Sequence, residues 1–130
     1  MPGDNAVTVA PGAAVQFPQD GPSVGATFFR LDASSFVLPA IGTYRVDFQV
    51  SVDEAGQLGL MLNGTFLPYT VVGRATGTSQ LVGESLVTTS TINNVLELIN
   101  PPSESTALTI TPLAGGVEPV SASLTITQVG

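Results

Sequence analysis

The sequence predicts an all-β domain, a sandwich or jelly roll of nine or ten short strands. Three observations predict it. Strand-like segments recur at short spacing between Gly, Pro, Asn and Asp clusters. Helix signals are almost absent, since no long segment keeps apolar residues at i, i+3 and i+4. The segment Thr43 to Val52 alternates strictly: Tyr44, Val46, Phe48, Val50 and Val52 on one side, Thr43, Arg45, Asp47, Gln49 and Ser51 on the other. Period two over that length places one face in a core and leaves the other for a different use.

The remaining elements follow in chain order. Ala6 to Val9 and Ala14 to Phe17 are candidate strands separated by Pro11-Gly12, and Pro18 to Ser23 reads as loop. Ala26 to Leu31 is a candidate strand, and Ser35 to Leu38 a short one stopped by Pro39. Gln57 to Leu62 and Thr65 to Val72 flank Asn63-Gly64, a two-residue hairpin signal because both central positions of such a turn need positive φ. Gly73 to Ser79 reads as loop. Leu81 to Thr91, Asn94 to Ile99, Ala107 to Thr111 and Ser121 to Val129 complete the set, joined by Asn100-Pro101-Pro102-Ser103 and Gly115-Gly116. The expected core holds Phe36, Tyr44, Val46, Phe48, Val50, Leu124 and Ile126.

Composition bounds the chemistry. A chain of 130 residues suits a single domain, with 1–5 read as the remnant of an upstream linker or stalk. Folding at this size buries roughly two-thirds of the unfolded surface, enough for a core without staples. There are no cysteines, histidines or tryptophans. Disulfides, thiolate nucleophiles and the usual general base are therefore missing, and no cofactor or metal site is expected. Arg30, Arg45 and Arg74 are the only cationic side chains, against ten carboxylates, for a net charge of −7. Such a balance opposes nucleic acid and anionic membrane surfaces, which both need clustered Lys and Arg. No apolar run approaches the ~20 residues of a membrane helix, and MPGDNAV shows no signal-peptide pattern. Only 10% of residues are charged, with mean hydropathy +0.39. So dry a surface suggests burial in an oligomer.

Candidate sites are few. Asp53-Glu54 is the sole adjacent carboxylate pair and reads as a solvated turn. Asn63-Gly64-Thr65 matches the N-glycan acceptor pattern, and the hairpin turn explains the same residues. No enzyme activity is expected.

The segment FVLPAIGTYRVDF, Phe36 to Phe48, carries a resemblance. A Phe stands six residues before a Gly-x-Tyr strand, and Phe29 lies seven residues upstream of that Phe. This spacing is similar to the central signature of the jelly-roll heads related to complement first-component q and tumour necrosis factor. Val46 and Val24 depart from it, standing where Phe and Asn or Asp are preferred. With its low charge and its Ser/Thr-rich strands, the chain most resembles the C-terminal heads of bacterial collagen-like spore-surface (exosporium) glycoproteins. The resemblance implies an antiparallel two-sheet jelly-roll sandwich of about ten strands that forms a homotrimer. It implies an extracellular structural role, the head aligning three collagen-like chains in an outer coat. Pro2-Gly3 would be the last trace of a collagen triplet. Other coat proteins or a host receptor would be further partners, and a receptor- or glycan-binding module is the alternative function.

The resemblance also implies which side chains meet the neighbouring subunits. These are Thr43, Arg45 and Asp47 on the Gly-x-Tyr strand, and Thr125, Thr127 and Val129, alternating with Leu124 and Ile126, on the last. Arg45 and Asp47 would pair between subunits, because Arg suits partly buried ion pairs.

Overall fold

The computed structural model describes residues 8–20, 29–75, 79–111, 114–117 and 122–130. Ten strands are present among them: β1 (Thr8–Val9), β2 (Phe29–Arg30), β3 (Phe36–Leu38), β4 (Gly42–Val52), β5 (Gly56–Leu62), β6 (Thr65–Arg74), β7 (Ser79–Thr89), β8 (Asn94–Ile99), β9 (Leu108–Thr109) and β10 (Ser123–Gln128). No helix occurs among the described residues. All pairings are antiparallel. They form a five-stranded sheet ordered β2-β3-β8-β5-β6, a three-stranded sheet ordered β10-β4-β7, and the small pair β1-β9.

One hydrophobic cluster binds the sheets. Tyr44, Val46, Phe48, Val50 and Val52 of β4 and Leu81 and Val87 of β7 come from the smaller sheet. Leu38, Leu58, Leu60, Leu96 and Leu98 come from the larger. Every even residue of β4 from Tyr44 to Val52 is at most 2% exposed. Phe36, Leu124 and Ile126 pack against the cluster from its margin and are only partly buried, because β10 is an edge strand and β3 lies next to one.

The corner between β3 and β4 carries the chain from one sheet to the other. Tyr44 fastens it: its buried hydroxyl donates to Ala40 O at 2.5 Å and accepts from Ala40 N at 3.2 Å. Thr89 Oγ1 donates to the same carbonyl at 3.1 Å and accepts from Gly42 N, also at 3.1 Å. Both backbone polar groups of Ala40 and the amide of Gly42 are thus satisfied within the chain. Asn63 and Gly64 adopt φ of 52° and 77°, the expected mirror-image turn between β5 and β6. The Asn63 carboxamide reaches sideways to β8: Nδ2 donates to Asn94 Oδ1 at 2.6 Å, and Oδ1 accepts from Val95 N at 2.8 Å.

Several expected elements change. Ala14 to Phe17 is not a strand. Ala14 makes one bridge to Ile99, Val15 N donates to Leu98 O and Phe17 N to Ala33 O, so the segment leans on two different neighbours and no ladder forms. Of the expected strands Ala6 to Val9 and Ala26 to Leu31, residues 6–7 and 26–28 lie outside the described residues, as does Ser121 of the last strand. Gly73 to Ser79 is not all loop. β6 runs on to Arg74 because Gly73 pairs with Gln57 and Arg74 with Gly56, and β7 starts at Ser79. The β5-β6 ladder is interrupted, with Leu58 opposite Val72 but Leu60 opposite Leu67. Thr70, 1% exposed, repairs the gap: its hydroxyl accepts from Leu60 N at 2.8 Å and donates to Leu67 O at 2.7 Å.

The Asp53-Glu54 turn is not merely solvated. Glu54 Oε1 accepts from Thr109 N at 2.6 Å and Oε2 from Thr109 Oγ1 at 2.7 Å, tying the turn to β9. These bonds favour the carboxylate, so the Thr109 amide first, and its hydroxyl second, hold Glu54 below the usual glutamate range. A depressed value gives stability that is complete above the ordinary value of about 4.3 and is lost as pH falls through the folded-state value. Glu54→Gln is expected to cost about 1 kcal/mol near neutrality, since the site is partly exposed. It should also flatten the acid limb of stability, read as urea midpoints at neutral and acid pH. An acid limb as steep as that of the wild type would overturn this assignment.

Candidate subunit-contact face

Residues directly opposite in an antiparallel pair share a face of the sheet. β4 is flanked by β10 and β7, so its register defines rows across all three strands. Leu86, Arg45 and Thr127 form one row; Glu84, Asp47 and Thr125 the next; Val82, Gln49 and Ser123 the third. Val129 N donates to Thr43 O at 2.8 Å, which continues β10 alongside the start of β4. Thr43, Arg45, Asp47, Thr125 and Thr127 therefore lie on one face, the side of the smaller sheet turned away from the core. Val129 adjoins it and is 54% exposed.

The third strand of this face is absent from the sequence expectation. On β7, Leu81, Gly83, Val87 and Thr89 are buried, whereas Gln80, Val82, Glu84, Leu86 and Thr88 are exposed. The sequence does not mark this alternation, since Leu81-Val82 and Leu86-Val87 put apolar residues on both faces. Nor does it mark the pairing of β7 with β4, which makes Val82, Glu84 and Leu86 neighbours of Arg45 and Asp47.

The chemistry differs across the face. The β7 flank is apolar with one carboxylate: Val82 and Leu86 are 59% and 56% exposed, with Glu84 between them. Tyr69, in the irregular part of β6, donates its hydroxyl to Leu86 O at 2.7 Å. The β10 flank offers the hydroxyls of Ser123, Thr125 and Thr127. In the centre, Arg45 Nε lies 3.3 Å from Asp47 Oδ2. Within one chain the two residues thus already pair, as i and i+2 on one face of a strand. Asp47 Oδ1 is shielded from solvent and has no hydrogen-bond partner among the described residues. Glu84 lies directly opposite it, and like charges in that position destabilise a sheet. The face thus keeps unmet polar capacity. Thr43 and Thr88 satisfy each other, their hydroxyls 3.2 Å apart.

The other arginines serve elsewhere. Arg30 binds Asp20 at 2.7 Å, donates to Phe17 O and stacks over the Phe36 ring at 5.0 Å, which closes the edge of the larger sheet. Arg74 is exposed at the end of β6.

Concave features are shallow. A depression of about 200 Å³ lies over Asp47, Gln49, Glu84, Ser123 and Thr125 on the same face. Another, of about 570 Å³, lies between the end of β6 and the start of β7, lined by Val72, Gly73, Arg74, Gln80 and Val82. Among the described residues, no group of three or more Asp, Glu, His or Cys is placed to hold a metal ion. No described helix is long and apolar enough to cross a membrane. Compared with known proteins, the chain matches no family model and no curated protein.

Proposed function

We propose that this domain is a tumour-necrosis-factor-like jelly-roll head that joins three copies of itself through the outer face of the β10-β4-β7 sheet. As such it would serve as the extracellular trimerisation head of a collagen-like protein of a spore or cell surface. The observation that carries this reading is the face itself. The residues that the resemblance assigns to the interface gather on or beside one side of one sheet, and two exposed apolar side chains on β7 extend that side.

The order of pairing supports the jelly roll. β5 pairs with β6 around the Asn63-Gly64 turn, β4 with β7, and β3 with β8, and successive pairs alternate between the sheets. A two-stranded antiparallel ribbon wound from its hairpin end across two sheets is how jelly rolls are built. Tyr44, the tyrosine of the Gly-x-Tyr signature, locks the corner at which the ribbon changes sheet.

The mechanism is one of effective concentration. Three chains held at one end meet as if in one molecule, so a triple helix next to the head nucleates without a three-body encounter. The isolated domain is expected to be a compact trimer by light scattering at tens of micromolar, an order of magnitude set by typical oligomer affinities. A Gly-Pro-Pro tract fused before residue 1 should refold as a triple helix at a rate independent of protein concentration. A monomeric domain would sink the reading. A trimer whose fused tract refolds no faster than the free peptide would leave the head an assembly module without the stalk role.

A further inference from the structure

The two flanks of the contact face are chemically unlike, and the difference bears on how copies meet. A two-fold contact sets each patch against its own copy, so the stripe Val82-Glu84-Leu86 would face itself and bring Glu84 towards Glu84. A head-to-tail contact sets one flank against the other and closes into a ring when the rotation allows. Here the second arrangement satisfies more groups. Among the described residues Arg45 contacts Asp47 through Nε alone, and its side chain is 47% exposed. Glu84 is exposed and makes no hydrogen bond or ion pair among the described residues.

Resting on the trimer reading, we infer that the β7 stripe Val82-Glu84-Leu86 of one copy seats on the flank Arg45-Thr125-Thr127 of the next, with Glu84 accepting from the neighbour's Arg45. Val82 and Leu86 meet the methyl groups of Thr125 and Thr127, an apolar contact that needs no charge. Asp47 stands 3.3 Å from Arg45 Nε on the same face. Every copy offers both flanks, so three junctions of one kind complete the ring.

The chain has no cysteine, so a single substitution places a single thiol. Chains carrying only Leu86→Cys are mixed with chains carrying only Thr127→Cys, refolded together and treated with a short bismaleimide. Linked pairs containing one chain of each kind are expected, with at least fivefold less linking in either variant alone. In parallel, Glu84→Arg and Arg45→Glu are each expected to raise the concentration for trimer dissociation tenfold or more. Combining both in one chain should recover most of that loss, whereas Glu97→Arg on the other sheet should change it less than twofold. Self-linking of Leu86→Cys at the level of the mixture would mean a two-fold contact and overturn the inference. A trimer by light scattering with no mixed pairs and no effect of Glu84→Arg would also overturn it, leaving the trimer reading intact. A monomeric wild type would overturn both.

Discussion

Phe48→Ala is expected to destabilise the domain by about 3–5 kcal/mol. Phe48 sits in the middle of β4, the central strand of its sheet, and is 2% exposed. Its ring lies over Gly83 on the neighbouring strand, so close that a Cβ built there would stand 2.5 Å from Phe48 Cζ. Truncation would leave a cavity bounded on one side by the backbone of β7 at Gly83, which has no side chain to fill the space. Loss of ring contacts adds to loss of buried apolar area. Urea unfolding at fixed protein concentration gives the number, and fixing the concentration matters because assembly would contribute to apparent stability. A loss below about 1 kcal/mol would mean that the inward face of β4 is wrongly assigned.

The reciprocal change at Gly83 is expected to cost about 1–3 kcal/mol, by overpacking and not by a cavity. Gly83 faces inward in the register opposite Phe48, and a methyl group there would also meet Cε1 at 2.7 Å. The ring cannot swing away, because it belongs to the shared core. Gly83→Ala should therefore be strongly coupled to Phe48. In a Phe48→Leu background, where the ring is gone, the same methyl group should be tolerated or should stabilise. A double-mutant cycle reads the coupling directly, and additive losses would show that the two residues do not compete for one space.

The sequence carried more of the fold than of the site, for a physical reason. Alternation and turn chemistry are local. They mark β4, the Asn63-Gly64 hairpin and the inward set Tyr44, Val46, Phe48 and Val50, since a side chain's face follows from its position along its own strand. Pairing across strands is not local. Nothing near Arg74 announces that it pairs with Gly56, and nothing near Glu54 announces that its carboxylate binds Thr109. The segment Ala14 to Phe17 has a strand's pattern but no single neighbour to pair with along its length. The outer face of the β10-β4-β7 sheet shows the same division. Thr43, Arg45, Asp47, Thr125 and Thr127 follow from face assignment plus the resemblance, whereas Glu84, Val82 and Leu86 emerge only from the β4-β7 register. The pairing of Arg45 with Asp47 inside one chain is legible in principle, since both stand on one face two residues apart, and the structure supplies the distance.

The Asn63 turn has a consequence for how this protein ages. Asn-Gly is the dipeptide in which the following amide nitrogen most easily attacks the carboxamide, because glycine leaves the approach open. Asn is among the residues that durable proteins carry sparingly. Here the carboxamide is held at both ends, its nitrogen by Asn94 and its oxygen by the amide of Val95. Asn94 is itself anchored, its Nδ2 donating to Thr91 O at 2.7 Å. Cyclisation at Gly64 would have to break both bonds and turn the side chain away from β8. The hairpin thereby keeps a dipeptide well suited to its tight turn, while the strand beside it holds the carboxamide in place.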